Sequence, residues 1–177
     1  NLKKLNKEIK LSKPDIIIHL AAQPLVGYSY EHPVDTFNTN VTGTLNILDC
    51  IKKFRSIKSS VIITTDKVYK IKGYKSYIEE DELGGHDPYS SSKVCSEIIT
   101  NSYIKSFCNK NTNLKYVSTA RSGNVIGGGD YSKDRLVPDI IKAINNKKKI
   151  YVRNPEHIRP WQHVLDPLMG YLILAKK

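Results

Sequence analysis

The sequence predicts an α/β fold built on a parallel sheet with helices packed on its faces. Three observations carry that expectation. Short apolar runs rich in β-branched residues recur, "PDIIIHLAA" at 14–22, "SVIITT" at 60–65 and "KYVSTA" at 115–120. Continuous apolar runs of this length suit strands covered on both faces. Between successive runs lie stretches of helical spacing long enough for right-handed crossovers, which imply βαβ units. Each run also ends in small or polar residues, "HLAAQ", "TTDK" and "ARSGN". In open α/β sheets that edge, beyond the carboxyl ends of the strands, is where ligands sit.

The elements follow in order. The chain opens in a polar, helix-like segment without an initiating Met, which leads us to expect further sequence upstream. The run 14–22 is the first strand. From 34 to 54, Val34, Phe37, Val41, Leu45 and Leu48 recur at helical spacing. The second strand, 60–65, is followed by a helix over 90–107 whose serines can cap its first turn. After the third strand comes a glycine-rich loop, "SGNVIGGGD" at 122–130. Beyond Gly129 the pattern changes to a helix at 135–146, a short strand at 149–152 ("KIYV") and a helix over 167–177. The domain reading is therefore 1–129 and 130–177, with Gly127 to Gly129 as a sharp turn between them. Those glycines lack G-x-G-x-x-G spacing and follow a late strand, so they do not form a phosphate loop.

Composition narrows the function classes. The chain has 177 residues, 40% of them hydrophobic, enough for a buried core. Its formal charge of +11 comes from 28 Lys and Arg against 17 Asp and Glu. The lysines are scattered rather than interleaved with aromatics, which reads as surface solvation and not as a nucleic-acid face. Three cysteines, Cys50, Cys95 and Cys108, show no C-x-x-C spacing. They predict reduced thiols in a cytoplasmic protein, with neither a disulfide framework nor a metal site. No signal peptide is evident, and no apolar run is long enough to cross a bilayer.

The chemistry concentrates at two places. "TTDKVY" (64–69) closes a buried strand with a hydroxyl, a carboxylate and an amine side by side. "DPYSSSK" (87–93) holds Tyr89 and Lys93 at Y-x-x-x-K spacing, which puts both on one face of a helix. An ammonium near a phenol stabilises phenolate and makes the tyrosine a usable base. Alone the spacing is a weak signal; a strand-terminal Thr65 upstream strengthens it. His19, inside its strand, and His163 read as structural.

Taken together, "HLAAQPLV", "NVTGT", "TTDKVY", "LGGHDPYSSSK", "ARSGNVIGGGD", "DRLVPD" and "RNPEHIRPWQHVLDPLMGYL" resemble the extended short-chain dehydrogenase/reductases. The resemblance lies in the nucleotide-sugar branch of epimerases and dehydratases, and most narrowly with the CDP-glucose 4,6-dehydratase family. It implies a partial Rossmann-like, doubly wound parallel sheet lacking its first βαβ unit, followed by the start of a smaller C-terminal substrate domain. It also implies NAD as cofactor, a nucleotide-diphosphate sugar as substrate, no nucleic-acid or membrane partner, and a homo-oligomer when full length. Ala21, Ala22 and Gln23 would line the dinucleotide, Asn40 would help hold the strand ends, and Val125 would sit near the nicotinamide. Thr65 would bind the sugar hydroxyl, Tyr89 would take its proton, and Lys93 would hold the ribose. Asp66 and Lys67 stand where dehydratase relatives keep an acid and a base for loss of water. Arg121, Asn124, Arg135, Arg153 and Arg159 fall in segments that bind the nucleotide diphosphate, where guanidinium forks suit phosphate oxygens; each arginine also reads as a plain surface charge.

Departures from the family pattern temper this. Many relatives place Glu where Lys67 stands, so Lys67 is either a base, if neutral, or a positioning group. Gly27 occupies a position where an arginine is expected. The glycine fingerprint and ribose-binding acid of a first βαβ unit are absent, so the 177 residues alone are expected to be inactive. A 4-epimerase would need Tyr89 and Lys93 but no elimination pair. A truncated, non-catalytic nucleotide-sugar-binding module is the alternative from another class.

Overall fold

The structure, a computed structural model, describes residues 1–73 and 76–176. Lys177, the end of the last expected helix, lies outside the described residues. The chain forms two compact units, one of Asn1–Ser122 with Gly170–Lys177 and one of Gly123–Met169.

In the first unit, α1 (Leu2–Ser12) leads into β1 (Ile16–His19). A crossover of α2 (Val26–Glu31), α3 (Pro33–Phe37) and α4 (Gly43–Lys53) leads to β2 (Ser59–Ile63), and α5 (Pro88–Phe107) leads to β3 (Val117–Ala120). The three strands are parallel in the order β1-β2-β3, with Ile18 opposite Val61 and Val61 opposite Ser118. The parallel sheet is thus as expected. The centre of the core is β2 with one face of α4, where Leu48, Ile51, Ile57, Ile62 and Leu114 are shielded from solvent. Burying such a side chain contributes roughly 1.5–3 kcal/mol.

Two expectations fail here for physical reasons. The run 14–22 leaves the ladder after His19, and no residue of β1 is buried; Ile16 is 46% exposed. Among the described residues β1 pairs with β2 alone. The expected stripe of the 34–54 helix is fully buried only at Leu48; Phe37, Val41 and Leu45 are half-buried and Val34 is 73% exposed. The helix instead turns Thr36, Asn40 and Thr44 inward, and Ile47, Leu48 and Ile51 only farther along. A π-helical turn at Asn38–Thr42 interrupts it. Such turns re-aim side chains and cluster at functional sites. The facing side of α5 is equally polar, with Ser92, Ser96 and Thr100 buried. The two helices meet through small side chains and hydrogen bonds, which apolar periodicity does not register.

In the second unit, β4 (Asn124–Ile126) pairs parallel with β5 (Trp161–His163), and α6 (Leu136–Asn145) lies between them in sequence. The expected strand at 149–152 does not form; Tyr151 is 83% exposed. Its place in a ladder is taken by "NVI", read from sequence as loop, and "WQH". The glycine-rich turn lies inside this unit. A Cβ on Gly127 would approach Val164 Cγ1 to 2.8 Å, and Gly129 adopts φ +84°. α7 (Leu165–Lys176) starts slightly earlier than expected.

Candidate active site

The carboxyl ends of β1, β2 and β3 and the first turns of α5 hold most of the residues singled out in the first unit. How α5 begins decides where its side chains lie. The helix opens at Pro88, ahead of the expected serines, with Asp87 as cap: Asp87 accepts from the Ser90 N–H at 2.9 Å, and Ser90 Oγ accepts from the Asp87 N–H at 3.1 Å. This reciprocal box and a proline in the first turn fix the start of the helix. The preceding glycines permit the approach. A Cβ on Gly85, at φ +114°, would lie 2.9 Å from the Ser91 backbone, and one on Gly84 would meet Lys70 Cα at 2.7 Å.

Tyr89 and Lys93 therefore share one face of α5, and both are buried. Lys93 Nζ donates to the Ile63 carbonyl at 3.1 Å, which pins it to the end of β2. Burial holds its pKa down to about 8, because desolvation disfavours the ammonium. Only one of its three N–H groups has a partner among the described residues, so two remain for hydroxyls of a bound ligand.

His19, at the end of β1, is held down to about 4 by burial and then by the charge of Lys93. It is neutral at pH 7, consistent with its structural reading. The unfolded chain takes up this proton near pH 6.5 and the folded chain only near 4, so stability falls as pH drops through that window. Unfolding temperature measured from pH 7 to pH 4 should decline, with this group contributing up to about 3 kcal/mol. His19→Asn should flatten the decline; an unchanged profile would remove His19 as its source.

Asn40 is 1% exposed and holds two segments together. Its Oδ1 accepts from the Gln23 N–H at 2.8 Å, and its Nδ2 donates to the Gln23 carbonyl at 3.1 Å and to Ser92 Oγ at 2.8 Å. The loop after β1 is thereby clamped to the first turns of α5. Both Nδ2 hydrogens of Asn40 are thus used within the chain. The Gln23 side chain donates to Thr36 Oγ1 and accepts from the Leu25 N–H. Ala21 is exposed and Ala22 half-buried beside them, leaving a loop without bulk at the end of β1.

After β2, Thr65 caps a 3₁₀ turn at Asp66–Val68. Its hydroxyl donates to Asp66 Oδ1 at 3.1 Å and accepts from the Lys67 N–H at 3.4 Å, while the Asp66 N–H donates to the Ser122 carbonyl at 3.0 Å. Thr65 is buried, Asp66 half-buried and Lys67 exposed. Among the described residues Lys67 forms no ion pair with Asp66, and α5 packs against this turn. A hydroxyl, a carboxylate and an amine thus stand at one strand end, next to the helix that carries Tyr89 and Lys93.

Arg121, expected on a nucleotide diphosphate, is engaged within the chain. Nε and Nη2 donate to the two carboxylate oxygens of Glu97 at 2.8 and 2.5 Å, and Nη1 donates to the Glu79 carbonyl at 3.0 Å. Glu97 is 6% exposed, and a buried carboxylate demands a counter-charge. The sequence reading missed Glu97, although it follows Lys93 at the same four-residue step by which Lys93 follows Tyr89.

The remaining residues belong to the second unit. Val125 lies on β4 opposite Gln162, and Asn124 Oδ1 is buried there with no hydrogen bond from the described residues. Arg135 caps α6. Arg153 pairs with Asp134 at 3.1 Å, and Arg159 donates to the Ile158 carbonyl, both on exposed surface. His163 Nδ1 accepts from the Leu165 N–H at the start of α7, a structural role.

Known proteins resemble the chain throughout its length. It is 45% identical over 181 residues to the CDP-glucose 4,6-dehydratase of Salmonella typhimurium, covering 100% of this chain and 50% of that protein. It is 27% identical over 182 residues to the UDP-glucose 4-epimerase of Mycoplasma pneumoniae, covering 97% and 54%. Among solved structures, the dTDP-glucose 4,6-dehydratase of Bacillus anthracis in complex with NAD superposes with a TM-score of 0.83 at 28% identity, covering 100% of this chain and 52% of that one. The chain spans about half the length of the curated relatives it matches. The model of the GDP-mannose 4,6 dehydratase family matches residues 1–177, and the chain belongs to that family.

Proposed function

We propose that this chain carries the catalytic centre of an NAD-dependent nucleotide-sugar 4,6-dehydratase that converts CDP-D-glucose to CDP-4-keto-6-deoxy-D-glucose. One observation carries the reading: the turn bearing Asp66 and Lys67 follows Thr65 directly at the end of β2 and packs against the helix whose buried face holds Tyr89 and Lys93. The 45% identity to a CDP-glucose 4,6-dehydratase supports the choice of nucleotide. Four-epimerases are also among the relatives, but epimerisation gives no role to an acid–amine pair at this strand end.

The residues present suit the nicotinamide half of a dinucleotide. Ala21 and Ala22 offer no bulk at the end of β1, and Lys93 keeps two N–H groups for ribose hydroxyls. NAD bound there would supply a reversible hydride acceptor for oxidation at carbon 4 and reduction at carbon 6. Thr65 orients the carbon-4 hydroxyl, and Tyr89 removes its proton. The new ketone acidifies the carbon-5 hydrogen. Lys67 takes that proton or positions the sugar. Asp66 delivers a proton to the carbon-6 hydroxyl, which leaves as water, and carbon 5 is reprotonated at the end. Asn124, Arg135, Arg153 and Arg159 are assigned to the nucleotide diphosphate. The same reading carries a cytoplasmic location, a homo-oligomer, and supply of deoxysugars for cell-surface polysaccharide. No described helix is long and apolar enough to cross a membrane.

The test compares CDP-glucose, dTDP-glucose and UDP-glucose as substrates of the complete gene product containing this chain. A 4-keto-6-deoxy product from CDP-glucose, with no net consumption of NAD, is expected. Equal turnover of the three sugars would overturn the CDP assignment, and inversion at carbon 4 without loss of water would move the protein to the epimerases.

A further inference from the structure

Behind the turn that bears Asp66 and Lys67 lies a network that none of the assigned roles uses. Its centre is Glu97 on α5. Thr64 Oγ1, the last side chain before Thr65, donates to Glu97 Oε1 at 2.6 Å. Arg121, at the end of β3, grips both oxygens of the same carboxylate. The guanidinium lies over the ring of Tyr69, 4.6 Å from its centroid, and Tyr69 stacks in turn on Tyr77 at 4.8 Å. Tyr69 caps the turn at its far end.

The ion pair thus reaches both ends of the turn, whose back is also fixed by bonds from the Gly84 N–H to the Val68 carbonyl and from the Lys70 N–H to the Glu82 carbonyl. At its front, Thr64 is tied to Glu97, and Asp66 N–H bonds the carbonyl of Ser122, the residue next to Arg121. At its back, Tyr69 lies under the guanidinium. Lys67 itself is exposed and makes no side-chain bond among the described residues, so its position is set by backbone and by what anchors that backbone. A planar fork that bonds two carboxylate oxygens and stacks on a ring restricts orientation as well as distance, which a lysine in its place would not do.

We propose that the Glu97–Arg121 pair, with Tyr69, is a positioning clamp that holds the Asp66–Lys67 turn in register with the Tyr89–Lys93 face, and so governs loss of water more than oxidation at carbon 4. Glu97 and Arg121 act through the turn and touch no reacting atom. The inference rests on the functional reading above, and its test is divided so that either can fail separately.

The first measurement needs no cofactor or substrate. Amide hydrogen exchange across 66–70 in the unliganded complete gene product should quicken by roughly 10-fold or more in Tyr69→Leu and in Glu97→Gln/Arg121→Gln, as expected for local opening of a released segment. The double variant leaves no unpaired buried charge, and Tyr69→Leu leaves the ion pair intact, so both keep the fold testable. Arg121→Lys should fall between these variants and the parent. Unchanged exchange at 66–70 in both variants would overturn the clamp, whatever the enzyme catalyses.

The second measurement reads the two chemical steps separately, as ketone formation at carbon 4 and as water loss with solvent-deuterium exchange at carbon 5. Misplacing an acid–base pair by about 1 Å costs roughly 10²-fold, so water loss should fall by about that factor in Tyr69→Leu while ketone formation stays near the parent rate. A parallel fall of both steps would overturn the selective role. A parent protein that does not dehydrate would overturn the functional reading, and the exchange data would still judge the clamp.

Discussion

Tyr89→Phe should remove oxidation at carbon 4 and, with it, every later step. The ring stays, so its packing at 8% exposure on α5 is preserved; only the phenol oxygen is lost. The carboxylate one turn beyond Lys93, Glu97, is bound by Arg121 on both oxygens. Loss of a positioned general base lowers the rate by roughly 10²–10⁴-fold. Single-turnover formation of the 4-keto sugar in the complete gene product measures this directly, with unfolding temperature as the control for folding. A Tyr89→Phe protein that forms the ketone at the parent rate would move the base elsewhere, and the Y-x-x-x-K reading would fall with it.

Asp66→Asn should leave that first step standing and slow the second. The amide keeps the shape and accepts the bond from Thr65 Oγ1, but it cannot hand a proton to the departing carbon-6 hydroxyl. The expected loss is again roughly 10²–10⁴-fold, confined to the appearance of the 6-deoxy product, with the 4-keto sugar accumulating. Continued solvent-deuterium exchange at carbon 5 in this variant would assign the base to another group, Lys67 being the nearest in sequence. Dehydration at the parent rate would strip Asp66 of its role. Because Tyr69→Leu also slows water loss but loosens the turn, hydrogen exchange at 66–70 separates a missing proton from a misplaced one.

The three parallel strands, the crossover helices and the turn after β2 were legible in the chain before folding, because each is written in local periodicity. A buried strand is a short β-branched run, and Tyr89 and Lys93 share a face because four residues make about one helical turn. What local reading could not supply were partners distant in sequence. Asn40 finds Ser92 across 52 positions, and Arg121 finds Glu97 across 24. Arg121, Arg153 and Arg159 look alike as letters. Only the fold shows that one of them is bound to a buried carboxylate while the others lie on exposed surface.

The same contrast explains the misread elements. "KIYV" has the composition of a strand, but a strand needs a neighbour, and the partner of "NVI" is "WQH" instead. The 34–54 helix carries an apolar stripe, yet it buries Thr36, Asn40 and Thr44, because α5 meets it with serines that can accept and donate hydrogen bonds at close range. By itself, then, the sequence determined the parallel α/β frame and the pair of motifs that face each other at its carboxyl edge, since both follow from backbone period and side-chain size. Tertiary structure decided which polar groups are bound and which remain free to act, because burial makes each hydrogen bond and charge depend on whatever partner the fold brings to it.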